Sequence, residues 1–160
     1  MAKSGVTGGA ETRAALKALR AALGAPLNEA SKRAVEPMAE AAKDLLKRNG
    51  SVKAGRLYRI ITVVRNRKRS SALRPVYEVG PDGSDPAYRE AHLVEFGTAP
   101  HFQPELNRMH PGARPKPFMR PAFEQNKEGA VKIFADTIGP AIEKQADRLA
   151  RRAAKKAAKK

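Results

Sequence analysis

Cysteine and tryptophan are absent from this 160-residue chain, and aromatic residues make up only 5% of it. Without cysteine there is no disulfide framework, no thiolate metal site and no thiol nucleophile. A disulfide-stapled secreted scaffold is excluded, and the redox compartment stays open. No apolar run approaches the ~18 residues of a membrane span. The opening Met1-Ala-Lys-Ser-Gly-Val-Thr-Gly-Gly has no apolar stretch of the signal-peptide kind, so a soluble, intracellular chain is expected. Three Tyr and five Phe offer few rings on which single-stranded bases would stack. A chain of about 150 residues buries roughly 70% of its extended surface and needs no cross-links to hold one domain.

Acid is the other scarcity. Lys and Arg number 32 against 16 Asp and Glu, a net charge of +16. Residues 53–77 hold eight cations (Lys53, Arg56, Arg59, Arg65, Arg67, Lys68, Arg69, Arg74) and no acid. Residues 148–160 hold seven (Arg148, Arg151, Arg152, Lys155, Lys156, Lys159, Lys160), again with no acid. The remaining chain carries 17 basic and 16 acidic groups, so its body is nearly neutral.

Residues 1–11 have no hydrophobic period and read as a flexible start. Thr12 is a candidate cap for a short helix in which Leu16, Leu19 and Leu23 recur at helical steps, interrupted by Gly24 and Pro26. Leu27, Ala30, Ala34, Met38, Ala41 and Leu45 form the stripe of a second helix. Pro37 kinks or splits it, and Asn49-Gly50 ends it. Arg56 to Val64 is rich in β-branched residues and predicts a strand, joined through the basic turn 65–71 to a second strand from Pro75 to Val79. Gly80 to Pro86 is a turn cluster and 87–96 suits a short helix ended by Gly97. Six of the twelve prolines fall in residues 100–121, which predicts a long irregular loop. Phe123, Ala130, Phe134, Ile138 and Ile142 mark a further helix that Gly139-Pro140 bends or restarts, and the Ala/Lys tail is expected to fray. The fold class is α+β: a small antiparallel sheet packed with N-terminal and C-terminal helices, a long Pro-rich loop and a basic helical tail. One domain spans 12–147, with 148–160 as the appended tail.

Catalytic constellations are missing. His92, His101 and His110 are the only imidazoles. His92 and Glu95 lie one helical turn apart but do not make the HExxH spacing of zinc hydrolases. There is no phosphate-binding GxxxxGK[ST], no GxSxG elbow and no paired acid and base. The chain is expected not to be an enzyme and to need no cofactor or metal. Clustered cations point instead to phosphates or acidic partners. Arg65, Arg67, Lys68 and Arg69, and Arg148, Arg151, Arg152, Lys155, Lys156, Lys159 and Lys160, are the candidate contacts to DNA or to an acidic protein.

Three strings add a resemblance. Val94-Glu-Phe-Gly-Thr98 closes the short helix, His110-Pro-Gly-Ala-Arg-Pro-Lys-Pro-Phe-Met-Arg-Pro-Ala-Phe123 follows the loop, and an amphipathic helix leads into Gly55-Arg-Leu-Tyr58. Over residues 27–138 this order resembles the tail-completion, or head–tail joining, family of long-tailed bacteriophages. Ala54 and Arg59 stand where that family has Thr and Ser. The resemblance implies a structural virion protein without catalysis: a ring, hexameric in the family, at the head-proximal end of the tail, completing it and joining it to the head. Its implied partners are other copies of itself, the stopper or adaptor, the tail terminator and the tail tube; charge placement alone adds DNA in the channel as a candidate partner, and no membrane partner is expected. Its implied place is the virion neck, after assembly in the host cytoplasm. A tail-terminator ring, or a nonspecific DNA-binding protein with a basic tail, is the alternative. The motif residues are Glu95, Phe96, Gly97, Thr98, Pro117, Phe118, Arg120 and Pro121. Phe96 and Phe118 are expected to anchor the loop, and Glu95 to pair with Arg120.

Overall fold

Alanine rather than leucine builds the principal helix contact. In the computed structural model, which describes residues 9–50 and 56–158, α2 (Gly24–Arg48) packs along α5 (Met119–Ala157). The buried positions of α2 are Ala30, Ala34, Ala39, Ala42 and Leu46. Small side chains let the two backbones approach closely, at the expense of apolar area per residue. The buried stripe is not the one the sequence predicts throughout. Beyond Pro37 it advances by one residue, to Ala39, Ala42 and Leu46, leaving Met38, Ala41 and Leu45 half-buried. The helix runs unbroken through Pro37.

Helix α1 (Gly9–Ala22) precedes α2 with a single residue between them. It starts before Thr12, so residues 9–11 are helical and Thr12 lies inside the helix; residues 1–8 lie outside the described residues. After Asn49-Gly50, where Gly50 takes φ 61°, residues 51–55 also lie outside the described residues.

The expected strand 56–64 is divided. Arg56–Ile60 is a helical turn, α3, and only Ile61–Arg65 is strand β1. Leu57, Ile60 and Ile61 are all buried. A helical turn carries positions three and four apart to one side, so core burial overrides the β preference of the sequence here. β1 pairs antiparallel with β2 (Tyr77–Pro81) in the register Ile61↔Pro81, Val63↔Val79, Arg65↔Tyr77. Val63 and Val79 pack against the core formed by Ala39, Ala42, Leu46, Leu57, Ile61 and Phe118 among others.

The turn after β2 is held by Asp82, whose carboxylate accepts from Ser84 N (2.9 Å) and Ser84 Oγ (2.8 Å). The Ser84 backbone N–H, then its hydroxyl, keep the Asp82 carboxyl below the usual aspartate range. A depressed folded value means that this turn's contribution is present above the unfolded titration range and is lost as pH falls through the folded one. Carbon-detected NMR titration should therefore give Asp82 a midpoint below that of an unstructured peptide. In Ser84→Ala, which removes only the hydroxyl, it should return partway.

Helix α4 (Tyr88–Phe96) follows. The Pro-rich segment is not irregular throughout. It holds a short antiparallel hairpin, β3 (His101–Gln103) and β4 (Arg108–His110), joined by a 3₁₀ turn over Pro104–Leu106 with Asn107 at φ 46°. Its prolines sit outside the two strands, where no ladder donor is needed. Helix α5 then continues for 39 residues through Gly139-Pro140 and through Asp147, with no break at either expected boundary. Ala, Lys, Arg and Gln are strong helix formers, and this composition keeps the C-terminal part helical.

Candidate functional site

The motif strings converge where α4 ends and α5 begins. Glu95 Oε2 accepts from the backbone N–H of Phe118 (2.7 Å) and Met119 (2.9 Å), and Oε1 accepts from Arg120 N–H (3.1 Å). A helix leaves its first four N–H groups without internal partners. Here Glu95 takes three, and the fourth residue, Pro121, has no N–H. Ala122 N–H then bonds Phe118 O at 3.2 Å, the first turn of α5. The carboxylate also sits at the positive end of the helix dipole. The expected Glu95–Arg120 pairing therefore runs through the Arg120 backbone. The Glu124 carboxyl, one turn on, is held low first by Lys127 and to a lesser degree by the charge of Arg120.

Gly97 ends α4 at φ 74°, ψ −173°. A Cβ there would lie 2.5 Å from Ala113 O and 2.8 Å from Pro115 N. The close approach lets Thr98 and Ala113 exchange backbone bonds (2.9 and 3.1 Å), with Thr98 Oγ1 also accepting from Ala113 N–H at 2.9 Å. Lys116 N–H bonds Val94 O (2.8 Å), Lys116 Nζ bonds Asn49 O (3.0 Å), and Asn49 Nδ2 donates to Pro117 O (3.2 Å). Residues 113–120 are thus latched to the ends of α4 and α2. Phe118 is the large side chain at the centre, 1% exposed. Phe96 is not an anchor: it is 66% exposed, its ring 4.9 Å from the His92 ring.

Above the latch an open groove of about 620 Å³ is lined by Tyr88, His92, Phe96, Phe118, Met119 and Phe123 among others. Tyr88, Phe96 and Phe123 are each at least half exposed. The β3–β4 hairpin springs from the same latch and carries Phe102, Leu106 and Met109, all largely exposed. Across its strands the His101 and His110 rings stack at 5.0 Å. His110 Nδ1 accepts from Gly112 N–H, and His101 Nδ1 faces Ala99 O. The Glu95 carboxylate is already engaged as a cap and is not available to share a ligand with His92. Among the described residues no group of three or more His, Cys, Asp or Glu is placed to hold a metal.

The candidate cations form two sets. Arg65, Arg67, Lys68 and Arg69 lie exposed along the β1–β2 connection, and Arg148, Arg151, Arg152 and Lys155 lie exposed on α5. Lys159, Lys160 and the side chain of Lys156 lie outside the described residues. The sequence reading passes over Arg13, Lys17 and Arg20 of α1, also exposed; their spacing of four and three was the available signal.

A family model described as "Bacteriophage HK97-gp10, putative tail-component" matches residues 13–97, just over half of the chain. The match takes in α1, which lies before the stretch the resemblance was drawn on, and ends at Gly97. The hairpin and α5 lie beyond it. No curated protein and no solved structure gives a significant match.

Proposed function

The chain belongs to the HK97-gp10-like family of bacteriophage tail components, and from that premise we propose that it acts structurally, as a hexameric ring at the head-proximal end of the tail. The ring completes the tail and joins it to the head. The observation that carries this reading is the pairing of an exposed apolar hairpin with an exposed apolar groove on one chain. Phe102 (53% exposed), Leu106 (57%) and Met109 (63%) project beside a groove rimmed by Phe96 (66%) and Phe123 (51%). Apolar side chains this large and this grouped mark an interaction surface. A protrusion and a groove on one chain can engage those of neighbouring copies head to tail, a contact that closes into a ring when the rotation per subunit permits.

The contact is shape and apolar burial, with no catalytic step and no cofactor. The remaining surfaces of the ring meet the stopper or adaptor, the tail terminator and the tail tube, and the assembled place is the virion neck. No helix among the described residues is long and apolar enough to cross a membrane.

Two measurements test this. Light scattering at assembly concentrations should give a closed oligomer for the native chain and monomer for Met109→Asp. Burying one such side chain contributes about 1.5–3 kcal/mol at every interface, so losing it should weaken each contact more than tenfold. A native chain that stays monomeric at all concentrations sinks the ring. In phage lacking the protein, filled heads beside unjoined tails of normal length support tail completion. Tails of irregular length point to the terminator role instead.

A further inference from the structure

Helix α1 and the β1–β2 connection, 50 residues apart in the chain, meet at a cleft. Lys17, Arg20 and Ala21 line one wall, and Ser71, Ala72 and Leu73 the other. At the neighbouring corner Gly24 lies so close that a Cβ on it would be 3.3 Å from Ala72 O. The connection is built rather than loose. Ser70 N–H bonds Asn66 O (3.0 Å), Arg69 N–H bonds Asn66 Oδ1 (3.0 Å), and Ser71 N–H bonds Arg74 O (2.9 Å). Ser70 Oγ closes it by bonding Val76 N–H at 2.8 Å, and Arg65 Nη2 reaches Ser71 O at 3.3 Å. Glu78, the acid at its base, is taken up by Asn66 (2.7 Å) and lies 3.9 Å from Arg69. Lys17, Arg20, Arg67, Lys68 and Arg74 make no ion pair among the described residues, and all are exposed.

We infer that α1 and the β1–β2 connection form one composite face that binds the phosphate backbone of double-stranded DNA. Five unpaired cations on an ordered scaffold, Lys17 and Arg20 lining the cleft and Arg67, Lys68 and Arg74 on the connection that supplies its other wall, are suited to neutralising a run of phosphates with release of their counterions. The apolar residues at the cleft are Ala21, Ala72 and the half-buried Leu73. None is the large exposed anchor that centres a protein–protein contact. No aromatic ring lines the cleft, so it lacks the stacking platform of a single-strand site. Contacts of this kind position a duplex without reading its bases.

The face lies at the opposite end of the molecule from the hairpin. Asn49 meets Pro117 at one end of the α2–α5 pair, whereas α1 packs beside Ala146, Leu149 and Ala153 of α5 at the other. About 30 residues of α5 separate the two ends, roughly 45 Å. The inference is independent of the ring reading, because a monomer carries the whole face.

Fluorescence anisotropy of the full chain on a mixed-sequence 30-base-pair duplex, between 50 and 200 mM NaCl, tests it. Lys17→Gln/Arg20→Gln should weaken binding at least tenfold at the low end and flatten the log–log salt slope by about 1.8, at 0.9 per phosphate contact. Arg67→Gln/Lys68→Gln should do the same, and Arg108→Gln/Arg114→Gln at the hairpin end should change neither. Gln keeps helix propensity, and circular dichroism checks that each variant is folded. Three results overturn the inference: an α1 pair that binds as the native chain does, a hairpin-end pair that weakens binding equally, or poly-glutamate of matched charge that binds as tightly as the duplex. Loss confined to Arg151→Gln/Arg152→Gln would move DNA contact to the C-terminal part of α5 and overturn it as well.

Discussion

Glu95→Ala is expected to lower stability by about 3 kcal/mol and to open the first turn of α5. One side chain accepts all three of the N–H groups that begin that helix, at 2.7, 2.9 and 3.1 Å. A hydrogen bond to a charged group contributes roughly 1.5–3 kcal/mol net of the exchange with water, three bonds to one carboxylate do not add in full, and a lost cap costs about 0.5–2 kcal/mol. Phe118 is buried, so water reaches its N–H poorly and the loss lies toward the upper end. For a domain of this size about 3 kcal/mol corresponds to roughly 6–12 °C in Tm. Glu95→Gln keeps acceptor oxygen but loses the charge, and should recover about half. Urea unfolding gives the free energies, and hydrogen exchange at residues 118–120 locates the effect. A change under about 0.5 kcal/mol, or exchange that quickens elsewhere but not at those amides, would count against the cap.

Gly97→Ala should cost at least as much, through a different mechanism. The backbone at φ 74°, ψ −173° is a region that only glycine occupies freely, and any other residue there carries about 1–3 kcal/mol of strain. The methyl group would also lie 2.5 Å from Ala113 O and 2.8 Å from Pro115 N. Both are backbone atoms, so relief means breaking the Thr98–Ala113 bridge. The expected total exceeds about 4 kcal/mol, and little folded protein should survive near 50 °C. Gly129→Ala is the contrast: that glycine lies inside α5 with open space around it. Alanine there should stabilise by about 0.8 kcal/mol. If the two variants unfolded at the same denaturant concentration, the close-approach argument at Gly97 would be wrong.

What the sequence made legible is what depends on local periodicity. The α+β class, the helix after residue 24, the β1–β2 pairing and the short helix ended by Gly97 follow from spacing and turn residues. The missed features depend on contacts between distant residues. Leu57, Ile60 and Ile61 read as strand because β-branched residues favour it, and only the position of the core makes a helical turn better. The Pro-rich segment hides two three-residue strands, too short to give a period. Gly139-Pro140 is a breaker in isolation, yet α5 passes through it. Charge alone links Glu95 to Arg120, whereas the contact is carboxylate to backbone across 25 residues. Phe96 is apolar and sits in a recognisable string, but its position at the end of α4 turns it outward. The cations of α1 carried a readable spacing; their meeting with the β1–β2 connection was not readable from that spacing.

The unbroken run of α5 has a mechanical consequence. A 39-residue helix is about 58 Å long, so a tilt of about 5° at one end swings the other by roughly 5 Å. Its proximal end is clamped by three bonds to a single carboxylate, and its distal end lies beside α1. Glu95 and the packing of α2 along α5 therefore share the aiming of the distal end, and a small tilt let in by loosening both would mis-aim it by the width of a side chain.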